Sequence, residues 1–149
     1  MSQSFSNHWI HCIWRTKNSR RILLKSYRYR LFGHMKEYAS KNNILLDIIN
    51  GVEDHVHCLI RLKTTQSVAD VIRIIKGESS FWVNKNVILE EHFEWQDGFG
   101  VISVSPKEIN GIRKYIYNQE KHHHHKSLKE EFKELKFTKK INKPRSSDL

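Results

Sequence analysis

The sequence is poor in the residues that cross-link or kink a chain. It contains two cysteines and two prolines in 149 residues. Cys12 and Cys58 do not form a C-x-x-C pair, and both lie within apolar runs. This excludes a disulfide framework and predicts buried thiols in a reducing compartment. No apolar stretch approaches the length of a membrane-spanning helix, so we expect no membrane partner.

Signals for export and for several domains are also missing. The first seven residues lack the charged and apolar regions of a signal peptide, so we expect a cytoplasmic protein. No Gly/Ser-rich or Pro-rich linker interrupts the chain. With 38% hydrophobic residues, the whole chain over 1–149 fits a single domain. We expect a folded core over about 8–137 and a basic, flexible tail over 138–149.

Acidic residues are scarce relative to basic ones. Lys and Arg number 26 against 16 Asp and Glu, which gives a net charge of +10. This excess favours a polyanionic partner, because cationic side chains displace the counterions of phosphates. Aromatic and basic residues alternate over 27–30, a mixture that suits phosphate contacts and base stacking. A solvated basic face without a specific ligand fits the same charge equally well.

Hydrophobic periodicity predicts four strands and three main helices. The predicted strands cover 8–14, 44–49, 55–62 and 99–105, and the predicted helices cover 20–41, about 67–83 and 105–123. A further amphipathic segment covers 127–137. Asn50-Gly51 is typical of a turn, and Ser105 with Pro106 and Glu108 is typical of a helix start. The order predicts an α+β, ferredoxin-like β-α-β-β-α-β sandwich with an added C-terminal helix that bears tyrosines.

His55 and His57, which form the histidine pair, are the first candidates for chemistry. Residues two apart in a strand project from the same face, while Val56 and Cys58 point to the face that the helices cover. Neutral imidazole is a common ligand of divalent metals, and Asp54 could orient one ring. Two ordinary histidines on a half-exposed strand fit the H-x-H pattern as well. No third His or Cys stands at a structural-zinc spacing, so another ligand must come from elsewhere.

The helix over 105–123 offers that ligand and a nucleophile. Tyr115 and Gln119 are four residues apart and share one face, whereas Tyr117 lies on nearly the opposite side. The Tyr115 phenol could attack a phosphodiester, and the Gln119 carbonyl could supply a hard oxygen ligand. The alternative is a packed tyrosine and a solvated glutamine. The run His122–His125 fits a polar helix end or a metal cluster; only its first residue shares the Tyr115 stripe, together with Lys126.

Several separated segments, in this order, resemble one family. The chain resembles the single-tyrosine transposases of the IS200/IS605 type, which belong to the HUH nucleases. The resemblance covers about 9–137. It rests on Trp14–Lys17, Asp54–Ile60, Lys76-Gly77, Trp95–Ser105 and Tyr115–Glu120 followed by His122-His123.

The resemblance implies an enzyme that cleaves and rejoins single-stranded DNA at element ends through a 5′-phosphotyrosine intermediate. It implies that Tyr115 is the nucleophile and that His55, His57 and Gln119 bind Mg²⁺ or Mn²⁺. Its partners would be DNA hairpins and a second copy of the chain, with the tyrosine helix of one subunit able to complete the other's site. The alternative is a non-catalytic, regulatory protein of the same fold that binds hairpin nucleic acid.

Overall fold

A computed structural model shows an α+β fold built on a four-stranded sheet. The structure describes residues 3–123, 130 and 133. The chain divides into two compact units, 1–119 and 120–149, and the fold below is that of the first. Its elements, in chain order, are β1 (His8–Arg15), α1 (Lys25–Lys41), β2 (Leu45–Gly51), β3 (His55–Leu62), α2 (Val68–Asn86), β4 (Gly100–Val104) and α3 (Ile109–Tyr117). A further helix, α4 (Gln119–His123), begins at the last residue of the first unit. None of the described helices is both long and apolar enough to cross a membrane.

The sheet has the strand order β2-β3-β1-β4 and is antiparallel throughout. β1 and β3 occupy its centre, and their register sets Cys12 opposite Cys58. α1 connects β1 to β2, which lie on either side of β3, and α2 connects β3 to β4, which lie on either side of β1. This is the split β-α-β arrangement of ferredoxin-like folds. The predicted fold class is confirmed.

The larger core lies between the sheet and the helices α1 and α2. Alternate residues of β1 and β3 enter it, and both cysteines are buried there without a disulfide bond. Burial raises the pKa of the Cys12 thiol to about 12 and that of Cys58 well above its usual value. Because both thiols therefore stay protonated and inert, they serve as core residues, and the prediction of buried thiols is confirmed.

The opposite face of the sheet is covered by α3. Ile116 is fully buried against Leu59 and Val104, with Ile109 and Ile112 packed beside them. Seven of the eight residues of β3 are therefore buried, on both faces of the strand. The alternative of a half-exposed strand does not describe β3.

Two predicted helix boundaries were wrong. The first helix begins at Lys25, not at residue 20, because the preceding segment is tied down as extended chain: Leu23 N–H donates to the Glu53 carbonyl at 2.9 Å. The third predicted helix is not continuous over 105–123. A short 3₁₀ turn, Pro106–Glu108, leads into α3, and α3 ends before Asn118. The predicted cap at Ser105 is confirmed, since its hydroxyl accepts a bond from the Lys107 N–H.

The predicted turn at Asn50-Gly51 was also wrong. Both residues belong to β2, and the connection to β3 follows them. Gly51 is required for a close approach, because a Cβ atom there would lie 2.3 Å from the carbonyl oxygen of His55. The Asn50 side chain instead reaches α3, where it donates to the carbonyls of Ile116 and Tyr117 at 3.1 and 3.0 Å. The dipeptide therefore does not reverse the chain. Gly51 allows β2 and β3 to approach closely, and Asn50 bonds β2 to α3.

Gly51→Ala should lower the free energy of unfolding by about 1–3 kcal/mol, because the added methyl group collides with backbone. Gly33→Ala is the matched control: that position is helical and has no atom within 4 Å of the new methyl group. It should raise stability by up to about 1 kcal/mol. Urea unfolding measures both changes, and equal effects of the two variants would contradict the close approach at Gly51.

Candidate active site

The histidine pair lies between the sheet and α3. Both side chains are fully buried. Their ring centroids are 5.1 Å apart and the ring planes are inclined at 68°. The alternation of β3 thus places the two imidazoles side by side, as two ligands of a single ion must be.

The ring of His55 is oriented by a carboxylate. Its Nδ1 lies 2.7 Å from Oδ1 of Asp54. A carboxylate can only accept a hydrogen bond, so in the neutral imidazole Nδ1 carries the proton and Nε2 carries the lone pair. This is the tautomer that a metal ligand bound through Nε2 requires.

The ring of His57 contacts a residue that the sequence analysis did not single out. His11 of β1 places its Nε2 2.8 Å from Nδ1 of His57, and both side chains are buried. The two residues are 46 positions apart in the chain. The alternation of β1 could have placed His11 on this face, but only the pairing of β1 with β3 brings the two rings together.

Tyr115 packs against these histidines. Its ring centroid lies 5.7 Å from that of His57 and 5.9 Å from that of His11, edge-on in both cases. Gln119 is fully buried, and its Nε2 lies 3.5 Å from the Tyr115 carbonyl, so the alternative of a solvated glutamine does not hold. Tyr117, in contrast, is 74% exposed. The structure therefore groups Tyr115 with the histidine pair and leaves Tyr117 at the surface.

Polar contacts to β2 hold the tyrosine helix in place. Arg113 of α3 binds Asp47 through two parallel hydrogen bonds of 2.8 Å. These bonds raise the pKa of the Arg113 guanidinium. At the other end of α3, Asn50 donates to the last carbonyls, and Ile116 fills the space above Leu59. The position of Tyr115 is thus set by three contacts on its own helix.

The predicted metal ligands at this site are the two imidazoles of the histidine pair and the amide oxygen of Gln119. Within the described residues, no three His, Cys, Asp or Glu side chains come together in a way that could hold a metal ion. The predicted set differs from these: an amide oxygen is a donor type that suits Mg²⁺ and Mn²⁺, and imidazole is a common ligand of divalent metals in general. The side chains of His122–His125 and Lys126, the predicted segment over 127–137 apart from residues 130 and 133, and the predicted tail over 138–149 lie outside the described residues.

Other segments that carried the family resemblance meet near Asp54. Thr16 pairs with Trp95 in an isolated bridge, and its N–H donates to the Asp54 carbonyl at 2.9 Å. The Nζ of Lys76 donates to the carbonyls of Gln96 and Gly98 at 2.7 and 2.9 Å, and burial lowers the pKa of this amine. Hydrogen bonds thus join segments that are far apart in sequence, close to Asp54 and the histidine pair.

Comparison with known proteins identifies the family of the chain. Residues 4–119 match the family described as "Transposase IS200 like". The ISDra2 transposase TnpA of Deinococcus radiodurans is 25% identical over 114 residues, which cover 73% of this chain and 81% of that protein.

Two solved structures share the fold. A crystal structure of a candidate transposase from Deinococcus radiodurans superposes with a TM-score of 0.63 at 22% identity, over 80% of this chain and 96% of that one. A REP-associated tyrosine transposase bound to a REP hairpin gives a TM-score of 0.56 at 19% identity, over 79% of this chain and 72% of that one. Since the family match spans well over half of the chain, this protein belongs to the IS200-like transposase family.

Proposed function

We propose that this transposase cleaves and rejoins single-stranded DNA through a covalent bond between Tyr115 and a 5′ phosphate. The observation that carries the proposal is the contact of the Tyr115 ring with His57, at 5.7 Å between centroids. A divalent ion held beside the phenol would assist phosphoryl transfer to the tyrosine, and the Tyr115 ring lies against one of the proposed ligands of that ion. A purely regulatory hairpin binder would have no need of a tyrosine packed against buried histidines.

The proposed ligands of Mg²⁺ or Mn²⁺ are His55, His57 and Gln119. Such an ion, when bound, polarises the scissile phosphate and offsets the charge that builds up during transfer. The protein contributes the orientation of these groups. Asp54 fixes the His55 tautomer, and β3 holds both imidazoles on one face.

The proposed reaction conserves phosphodiester bonds. The Tyr115 phenol loses its proton and its oxygen attacks the scissile phosphorus, and the bond from phosphorus to the 3′ oxygen breaks. The 5′ phosphate stays on the tyrosine, and the 3′ oxygen leaves as a hydroxyl after it takes up a proton. Rejoining is the reverse: a 3′-hydroxyl attacks the phosphotyrosine and releases the phenol. Because each broken bond is replaced by another, ATP is not required.

Hairpin-bearing single-stranded DNA is the substrate that we propose. A transposase of the same fold is bound to a REP hairpin. The net charge of +10 supports a polyanionic ligand in the present chain.

A covalent adduct tests the role of Tyr115. The chain is incubated with Mn²⁺ and hairpin-containing single-stranded DNA from its own locus, labelled at the 3′ end so that the attached fragment is visible. Wild type should give a protein–DNA adduct that survives denaturant. Tyr115→Phe should give none, because it removes only the nucleophilic oxygen, whereas Tyr117→Phe, the matched control, should resemble wild type.

The proposal fails if Tyr115→Phe still forms the adduct. An adduct lost only in Tyr117→Phe would assign the nucleophile to that residue. Hairpin binding by wild type without any adduct would favour the regulatory alternative.

We also propose that the chain forms a homodimer through β4. This strand lies at the edge of the sheet, and no described strand pairs with its outer side. Val101 of this strand is 36% exposed, and Phe99, which directly precedes the strand, is 44% exposed. An edge strand with exposed apolar side chains is a template for pairing with a second chain. In this structure Tyr115 and the histidine pair belong to one chain; the exchange of tyrosine helices between subunits stays a prediction.

Val101→Lys should weaken the dimer at least about tenfold, since it places a charge where the second strand would pack. Ile88→Lys is the control, because Ile88 is fully exposed in the loop before β4 and lies outside the sheet. Sedimentation equilibrium measures the dissociation constants. A wild-type monomer at all concentrations, or equal dissociation constants for the two variants, would contradict the β4 interface.

A further inference from the structure

A buried contact between two histidines is left unused by the chemistry described above. His11 and His57 come from neighbouring strands, with side chains 1% and 0% exposed. We propose that His11 is a positioning residue, which holds His57 in the one tautomer and orientation that allow its Nε2 to bind a divalent cation. The inference rests on the proposed metal-dependent function.

The pairing of β1 with β3 creates this contact. Ile13 lies opposite His57, and His11 lies opposite Leu59, so the two histidines are diagonal neighbours on one face of the sheet. Their rings are 5.0 Å apart between centroids and inclined at 34°. Tyr115 stands edge-on to both rings. The three side chains therefore restrict one another, and neither imidazole can turn without displacing the tyrosine.

The distance between the ring nitrogens limits the positions of the protons to two arrangements. A neutral histidine has one N–H donor and one acceptor nitrogen. At 2.8 Å, Nδ1 of His57 and Nε2 of His11 must share one proton in a hydrogen bond. If His57 donates, its Nε2 keeps a lone pair and can bind a metal ion. If His11 donates, the proton of neutral His57 lies on Nε2, which then cannot bind metal.

His11 contacts Nδ1 of His57 as Asp54 contacts Nδ1 of His55. The two partners differ in their hydrogen-bonding chemistry. A carboxylate accepts only, so it imposes the metal-binding tautomer on His55. The His11 imidazole can accept or donate, so His57 is metal-competent only when the Nε2 of His11 carries the lone pair. Loss of such an outer partner typically weakens metal binding 10- to 100-fold.

Titration of the full-length chain with Mn²⁺, followed by electron paramagnetic resonance of the free ion, tests this role. The Mn²⁺ binding that remains in His57→Ala is subtracted from every curve, since the histidine run near the C-terminus can also bind Mn²⁺. His11→Leu fills the space without an acceptor and should weaken binding 10- to 100-fold. His11→Gln offers an acceptor oxygen at a similar reach and should stay within about threefold of wild type. Ile13→Val, on the same strand face, should bind as wild type does.

Nitrogen-15 NMR of the metal-free wild type gives an independent measurement, which does not require His11→Leu to fold. It should show the proton of His57 on Nδ1, in wild type and in His11→Gln. Wild-type Mn²⁺ affinity in folded His11→Leu, or a His57 proton on Nε2 in wild type, overturns the role of His11 alone. Mn²⁺ binding that His57→Ala leaves unchanged overturns the metal site itself, and with it the metal dependence of the proposed function.

Discussion

The burial of β3 on both faces is the constraint on which the rest of the structure depends. One face packs against α1 and α2, and the other lies under α3. On the second face the strand presents the polar rings of the histidine pair as well as apolar side chains. Because a buried polar group without a hydrogen bond is costly, each ring needs a polar neighbour, and Asp54 and His11 provide them. The same packing that closes the fold therefore orients two imidazoles.

The placement of the tyrosine follows from the way α3 is attached. The forked ion pair between Arg113 and Asp47 and the hydrogen bonds from Asn50 fix the helix to β2, while Ile116 packs on Leu59. In the proposed reaction the Tyr115 phenol attacks a phosphate, and such a group has to be held to within a fraction of an ångström. The helix that carries it is accordingly anchored by several contacts.

Much of the fold and part of the site could be predicted from local patterns. The alternation over 55–62 predicts β3 and the shared face of the histidine pair, and helical phase separates Tyr115 from Tyr117, as their exposures show. What could not be predicted depends on partners distant in sequence. The contact of His11 with His57 requires the register of β1 with β3, and the close approach at Gly51 requires the path of the chain at His55. The end of α3 before Asn118 reflects backbone geometry that a periodic pattern does not reveal.

Anomalous diffraction from crystals grown with Mn²⁺ tests the central claim most directly, namely that the histidine pair and Gln119 form one metal site beside Tyr115. We expect an anomalous peak about 2.1 Å from the Nε2 atoms of His55 and His57 and from the Gln119 Oε1. A peak at the histidine run over 122–125, with none at the histidine pair, would contradict that claim.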